Sequence, residues 1–130
     1  MDFALPTTNA DWLPFAAACF TALIGLFALF APVTTLAAIG LAPSAVRKDA
    51  LGGARASLAG FWLGVGILGA ALYDQPFVQL ALGAGWLFSA FGRLVSLLSD
   101  GTTARALFYL LIELLLAVAL LGPALGLIAV

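Results

Sequence analysis

Phe77–Leu98 reads FVQLALGAGWLFSAFGRLVSLL, and after the break Ser99-Asp100-Gly101 the chain resumes as ARALFYLLIELLLAVALL over Ala104–Leu121. Each run approaches the roughly 20 helical residues that cross about 30 Å of hydrocarbon. Two more such runs lie upstream. The spacing predicts four spans at about residues 13–31, 51–73, 77–98 and 103–121, broken by Pro32, by the turn Asp74-Gln75-Pro76, by Ser99-Asp100-Gly101, and by Gly122-Pro123. The expected fold is all-α, one four-helix membrane bundle over residues 1–130. Residues 33–41 are apolar but too short to cross, and are expected as a short interfacial helix.

Composition agrees. With 65% hydrophobic and 8% charged residues, the chain lies outside water-soluble folds, where about a quarter of residues are charged. There is no histidine and one cysteine. The usual zinc, haem and iron–sulfur ligand sets are therefore missing, an intramolecular disulfide is impossible, and neither metal nor cofactor is expected. A net charge of -1 with five cations offers no basic face for nucleic acid. Asp2 and Asp11 stand where a signal peptide would be positive, so the first apolar run is read as a retained helix.

Arg47, Lys48, Arg55, Arg93 and Arg105 all belong to the first and third connections or the adjoining helix ends, whereas the second connection carries only Asp74. Because positive loops stay cytoplasmic, both termini are expected outside a bacterial inner membrane crossed several times. Small residues let helices approach in lipid. Ala56, Gly60 and Gly64, Gly85 and Ser89, and Gly92 and Ser96 are expected as packing seams, chiefly within the bundle. Thr21, Ser57 and Ser89 are read as interhelical hydrogen-bonding groups, Cys19 as a packing residue, and Trp12 and Tyr73 as interfacial aromatics.

Charges inside a bilayer cost at least a few kcal/mol unless paired or hydrated, so Arg55, Arg93 and Glu113 demand partners. Glu113 lies eight residues beyond Arg105, about 12 Å deeper at 1.5 Å per residue. Arg55 and Arg93 are expected to meet it from the cytoplasmic side. Trp62 follows Arg55 by seven residues and Trp86 precedes Arg93 by seven, nearly two α-helical turns, so each arginine shares a face with a tryptophan about 10 Å deeper. Gln79 and Asp100 extend the third-span stripe, and Tyr109 lies one turn before Glu113. Converged, Arg55, Trp62, Trp86, Arg93, Asp100, Tyr109 and Glu113 would line a cytoplasm-facing pocket. In the structural alternative Arg93 pairs with Asp100 at the headgroups and Arg55 snorkels to the interface.

Gly53, Ala54, Arg55 and Gly60 opening the second span, Gly92, Arg93, Asp100 and Gly101 closing the third, and Glu113-Leu114 in the fourth give the chain a family likeness. It resembles small bacterial four-helix membrane proteins known only as a domain of unknown function and, more distantly, the DoxX-like group. The resemblance covers almost the whole length and implies that Arg55, Arg93, Asp100 and Glu113 are the positions the pattern singles out. It implies no substrate or reaction.

No catalytic residue is assigned, since no histidine can serve as a base and no serine sits in a nucleophile elbow. The expected function is that of a non-enzymatic, homo-oligomeric bundle that binds a lipid-like or small anionic ligand, with membrane lipids as partners. The alternatives are an enzyme or proton-coupled carrier using Glu113, and a scaffold for an unidentified membrane protein.

Overall fold

The computed structural model describes residues 5–42 and 50–127, all of whose regular elements are helical. They are α1 (Asn9–Phe30), α2 (Pro32–Ala38), α3 (Ala50–Gly53), a π-helical segment (Ala54–Gly60), α4 (Phe61–Ala71), α5 (Pro76–Ser99) and α6 (Ala104–Ala124). Four helices are long and apolar enough to cross a membrane: α1, the π segment with α4, α5 and α6. Only 17–33% of the most apolar window of each span is buried. The remaining apolar surface faces outward, including Phe27, Phe77, Phe88 and Leu115, as expected of a bundle whose solvent is lipid.

Local chemistry sets the boundaries. The Thr8 hydroxyl caps α1 by accepting from the Asp11 N–H at 3.3 Å, and Thr103 caps α6 by accepting from Ala106 N–H at 3.1 Å. Pro32 and Pro76 each open a helix in its first turn, where a missing N–H costs nothing. The α5–α6 turn relies on Gly101 at φ +105°, a conformation that L side chains rarely adopt. Contrary to the break expected at Gly122-Pro123, α6 continues through Pro123 to Ala124. Gly126 at φ +74° then ends it, with the Leu127 N–H closing back on the Gly122 carbonyl at 2.8 Å.

α1 packs along the π segment and α4 and also against α6, while α5 packs along α6. α4 and α5 meet sparingly although they are consecutive. The tight α1–α4 contact depends on two glycines. A Cβ at Gly25 would lie 2.8 Å from Leu63 Cα, and one at Gly66 would lie 2.6 Å from Ala22 Cα. Backbone therefore meets backbone, as small-residue packing in lipid requires.

The expected seams are corrected. Ala56, Gly60, Gly64, Gly85, Ser89, Gly92 and Ser96 are all exposed, and a Cβ at Gly64, Gly85 or Gly92 would meet nothing within 4 Å. Gly25, Gly66, Gly69 and Gly83 do the packing instead. Spacing by four placed the small residues on common faces but not on which side of the helix the neighbours would lie.

Candidate functional site

Glu113 comes from the middle of α6, ten residues past the Thr103 cap, or about 15 Å along the helix axis. It is buried among helices, with 6% of its side chain exposed. Arg93 donates from Nε to Glu113 Oε1 at 2.5 Å, and the Ser89 hydroxyl, one turn earlier on α5, donates to Oε2 at 3.2 Å. Both carboxylate oxygens are thus held by a charge-assisted bond or a hydroxyl, which a carboxylate in oil needs. The Arg93 guanidinium stacks over Tyr109, with its carbon 5.3 Å from the ring centroid. Its terminal nitrogens have no protein partner among the described residues. A quarter of the Arg93 side chain remains exposed.

These groups open into a chamber of about 180 Å3, whose walls include Phe20, Trp62, Trp86, Arg93, Tyr109 and Glu113. Trp86 is fixed by donating from its indole N–H to Thr21 Oγ1 at 2.9 Å, and Thr21 in turn donates to the Ala17 carbonyl at 2.9 Å. Tyr109, also in the chamber wall, donates its hydroxyl to the Ala38 carbonyl at 2.6 Å, which ties α6 to the last turn of α2. Ile39, just beyond α2, lines the same chamber.

Five of the seven residues expected to converge do so: Trp62, Trp86, Arg93, Tyr109 and Glu113. Arg55 does not. Its guanidinium is exposed and donates from Nε to the Leu29 carbonyl at 3.0 Å. That carbonyl lies in the last turn of α1, where acceptors lack helical partners and a cation complements the helix dipole. The cause lies in the winding of the second span. A π segment turns more slowly than an α-helix because its hydrogen bonds reach to i+5, so seven residues from Arg55 to Trp62 fall short of two turns and the shared face is lost. Asp100 also stands apart. It lies past the end of α5, exposed, and accepts from the Ser96 hydroxyl at 2.9 Å. The alternative Arg93–Asp100 pair is not formed, because Arg93 turns to Glu113.

Gln79, at the head of the third-span stripe, is buried and serves the opposite end of the bundle. Its Nε2 donates to the Gly69 and Leu72 carbonyls at 3.1 and 2.9 Å, satisfying acceptors where α4 ends. Trp12, Phe15 and Tyr73 form an edge-to-face aromatic chain at this same end. Ser57 is exposed, and Arg47, Lys48 and Asp49 lie outside the described residues.

A family model for a domain of unknown function, DUF4345, matches residues 10–122, which includes every chamber residue. The chain belongs to the DUF4345 family. The matched range takes in nearly all of the four spans and the connections between them. No curated protein and no solved structure matches the chain.

Ser89, read from the sequence as an interhelical hydrogen-bonding group, makes that bond to Glu113. One feature escapes seven-residue spacing: Phe77, Ala81, Gly85, Ser89 and Arg93 form an i, i+4 row along α5, which counting by fours back from Arg93 would have found.

Proposed function

We propose that this membrane protein binds a lipid-like amphipath, with the ligand's polar end in the chamber beside Arg93 and Glu113. The observation that carries this is the state of Arg93. Its charge is already matched by Glu113, its terminal nitrogens have no protein partner among the described residues, and it lines one cavity together with Trp62, Trp86 and Tyr109. Unpartnered donors beside aromatic walls suit a group that brings hydrogen-bond acceptors on an apolar body. A small soluble anion fits less well. It would displace Glu113 from its cation or add an unbalanced charge to a low-dielectric interior.

In this reading the end of the bundle carrying Arg55, Arg93 and Arg105 faces the cytoplasm of a bacterial inner membrane and both termini lie on the far side, following the positive-inside rule. The Arg93–Glu113 pair then has a positional task, holding donors toward the chamber. No step of chemistry is assigned to it.

Native mass spectrometry of the protein released from bilayers with its lipids retained tests the proposal. The wild type should carry a single-chain amphipath, and a folded Glu113→Gln variant should lose it. Equal retention by both would overturn the reading. If Glu113→Gln unfolds outright while the wild type carries no adduct, the pair is purely structural and the scaffold alternative holds.

A further inference from the structure

The sparse contact between α4 and α5 leaves a crevice along the bundle. Its wider part, about 440 Å3, is lined by Phe61, Val65, Leu68, Phe77, Ala81 and Gly85, among others. A waist of about 130 Å3 shares Phe61, Val65, Leu82 and Gly85 with that part. The waist also shares Trp62, Trp86 and Ser89 with the Arg93–Glu113 chamber. The three spaces therefore adjoin through shared walls, from an apolar flank to a polar end. On the α5 side the lining is the row Phe77, Ala81, Gly85, Ser89, Arg93. It runs about 24 Å from first Cα to last at 1.5 Å per residue and changes from aromatic, to small, to hydroxyl, to cation.

We infer that this crevice is the tail site and lateral access route for a single-chain lipid drawn from the bilayer, with Gly85 setting what passes the waist. The inference rests on the polar-chamber reading for the ligand's head. The occupant is one chain, because the waist, at about 130 Å3, has less than a third of the wider part's volume and is walled by Phe61 and Val65 on α4 and Gly85 on α5. Its head is uncharged and rich in oxygen, because the chamber's cation and anion already neutralise each other and what remains without a partner among the described residues is a set of donors on Arg93. A monoacylglycerol has this chemistry. Gly85 controls passage because a Cβ there meets nothing within 4 Å, so a larger side chain would enter the crevice without disturbing the helix packing.

The test uses the full chain in phosphatidylcholine nanodiscs with Trp12→Phe, which leaves Trp62 and Trp86 as the fluorophores at the waist. Dibromostearoyl monoglyceride is titrated against dibrominated diacyl phosphatidylcholine and dibromostearate at equal bromine content. The monoglyceride should quench severalfold more than the diacyl lipid, and more than the fatty-acid anion. Gly85→Leu should weaken its apparent affinity about tenfold, a change of about 1.4 kcal/mol. Gly92→Leu, equally open at its Cβ but off the crevice, should not. Equal quenching by one-chain and two-chain lipids, unchanged by Gly85→Leu, would reduce the crevice to ordinary lipid boundary and overturn the inference. Loss of quenching in Gly85→Leu with no effect of Glu113→Gln would keep the tail site and refute the chamber as the head site. Preference for dibromostearate would overturn the uncharged head.

Discussion

Removing one partner of the Arg93–Glu113 pair should cost more than removing both. In Glu113→Leu the Arg93 guanidinium loses the only carboxylate it pairs with among the described residues while keeping three quarters of its side chain buried. Breaking a buried pair by deleting one member costs about 3–5 kcal/mol, and an unmatched charge at mid-membrane about 2.5–3.5 kcal/mol. The two ranges overlap near 3 kcal/mol, the expected loss for Glu113→Leu. Arg93→Leu should cost a similar amount, since Glu113 is more buried than its partner but keeps the Ser89 hydroxyl. The double variant leaves neither charge and should recover most of the loss. Separated helices would hold the same charges in lipid, so the coupling energy from the double-mutant cycle is the quantity to read, and it should exceed about 3 kcal/mol, the top of the usual range for contacting residues, because two single losses of about 3 kcal/mol then give a double loss smaller than either. Steric-trapping unfolding in bicelles measures all four proteins on one scale. Additive losses, with coupling below about 0.5 kcal/mol, would mean that the pair does not hold α5 to α6.

Other outcomes follow from contacts away from the pair. Gly66→Ala should destabilise the bundle by at least the 1–3 kcal/mol or so typical of overpacking, because its Cβ falls on the Ala22 backbone, whereas Gly64→Ala, facing open space, should be neutral or stabilise by up to about 1 kcal/mol; thermal unfolding in the same detergent compares them. Arg55→Ala should lose only the cap on Leu29, about 0.3–1 kcal/mol, and leave quenching of Trp62 and Trp86 by the brominated monoglyceride unchanged; a lost response would place Arg55 in the site after all. Gln79→Leu strands the Gly69 carbonyl and takes one of two donors from the Leu72 carbonyl, which also accepts from the Gln75 N–H, and should cost about 1–3 kcal/mol, measured by unfolding, with hydrogen exchange rising first at the end of α4. Cysteine labelling at position 74 should proceed only from the non-cytoplasmic face, and labelling from the cytoplasm would reverse the proposed orientation.

The four spans were legible because their signals are long and redundant: an apolar run, a proline or glycine at each break, and a charge-poor interior. The Arg93–Glu113 pairing was legible for an energetic reason, since two opposite charges in oil have few alternatives to each other. Arg55 misled because seven-residue spacing presumes α-helical winding. Nothing in GGARASLAG announces that Ala54–Gly60 will wind as a π-helix and turn the arginine to the end of α1. The glycine seams misled for a related reason, since a periodicity fixes a shared face but the neighbour belongs to the tertiary fold. Gly25, four-spaced from Ala17 and Thr21, and Gly66, four before Ala70, make the closest helix contact, while the equally regular Ala56-Gly60-Gly64 stripe faces outward.

A crystal structure grown in a lipid mesophase would test the central claim most directly, because it would show what fills the space between α4 and α5. The expected result is continuous elongated density running past Gly85, with its polar end within hydrogen-bonding reach of the Arg93 terminal nitrogens and Glu113 still paired to Nε. A dry interior with α4 closed onto α5, or Arg93 and Glu113 turned apart toward separate surroundings, would contradict it.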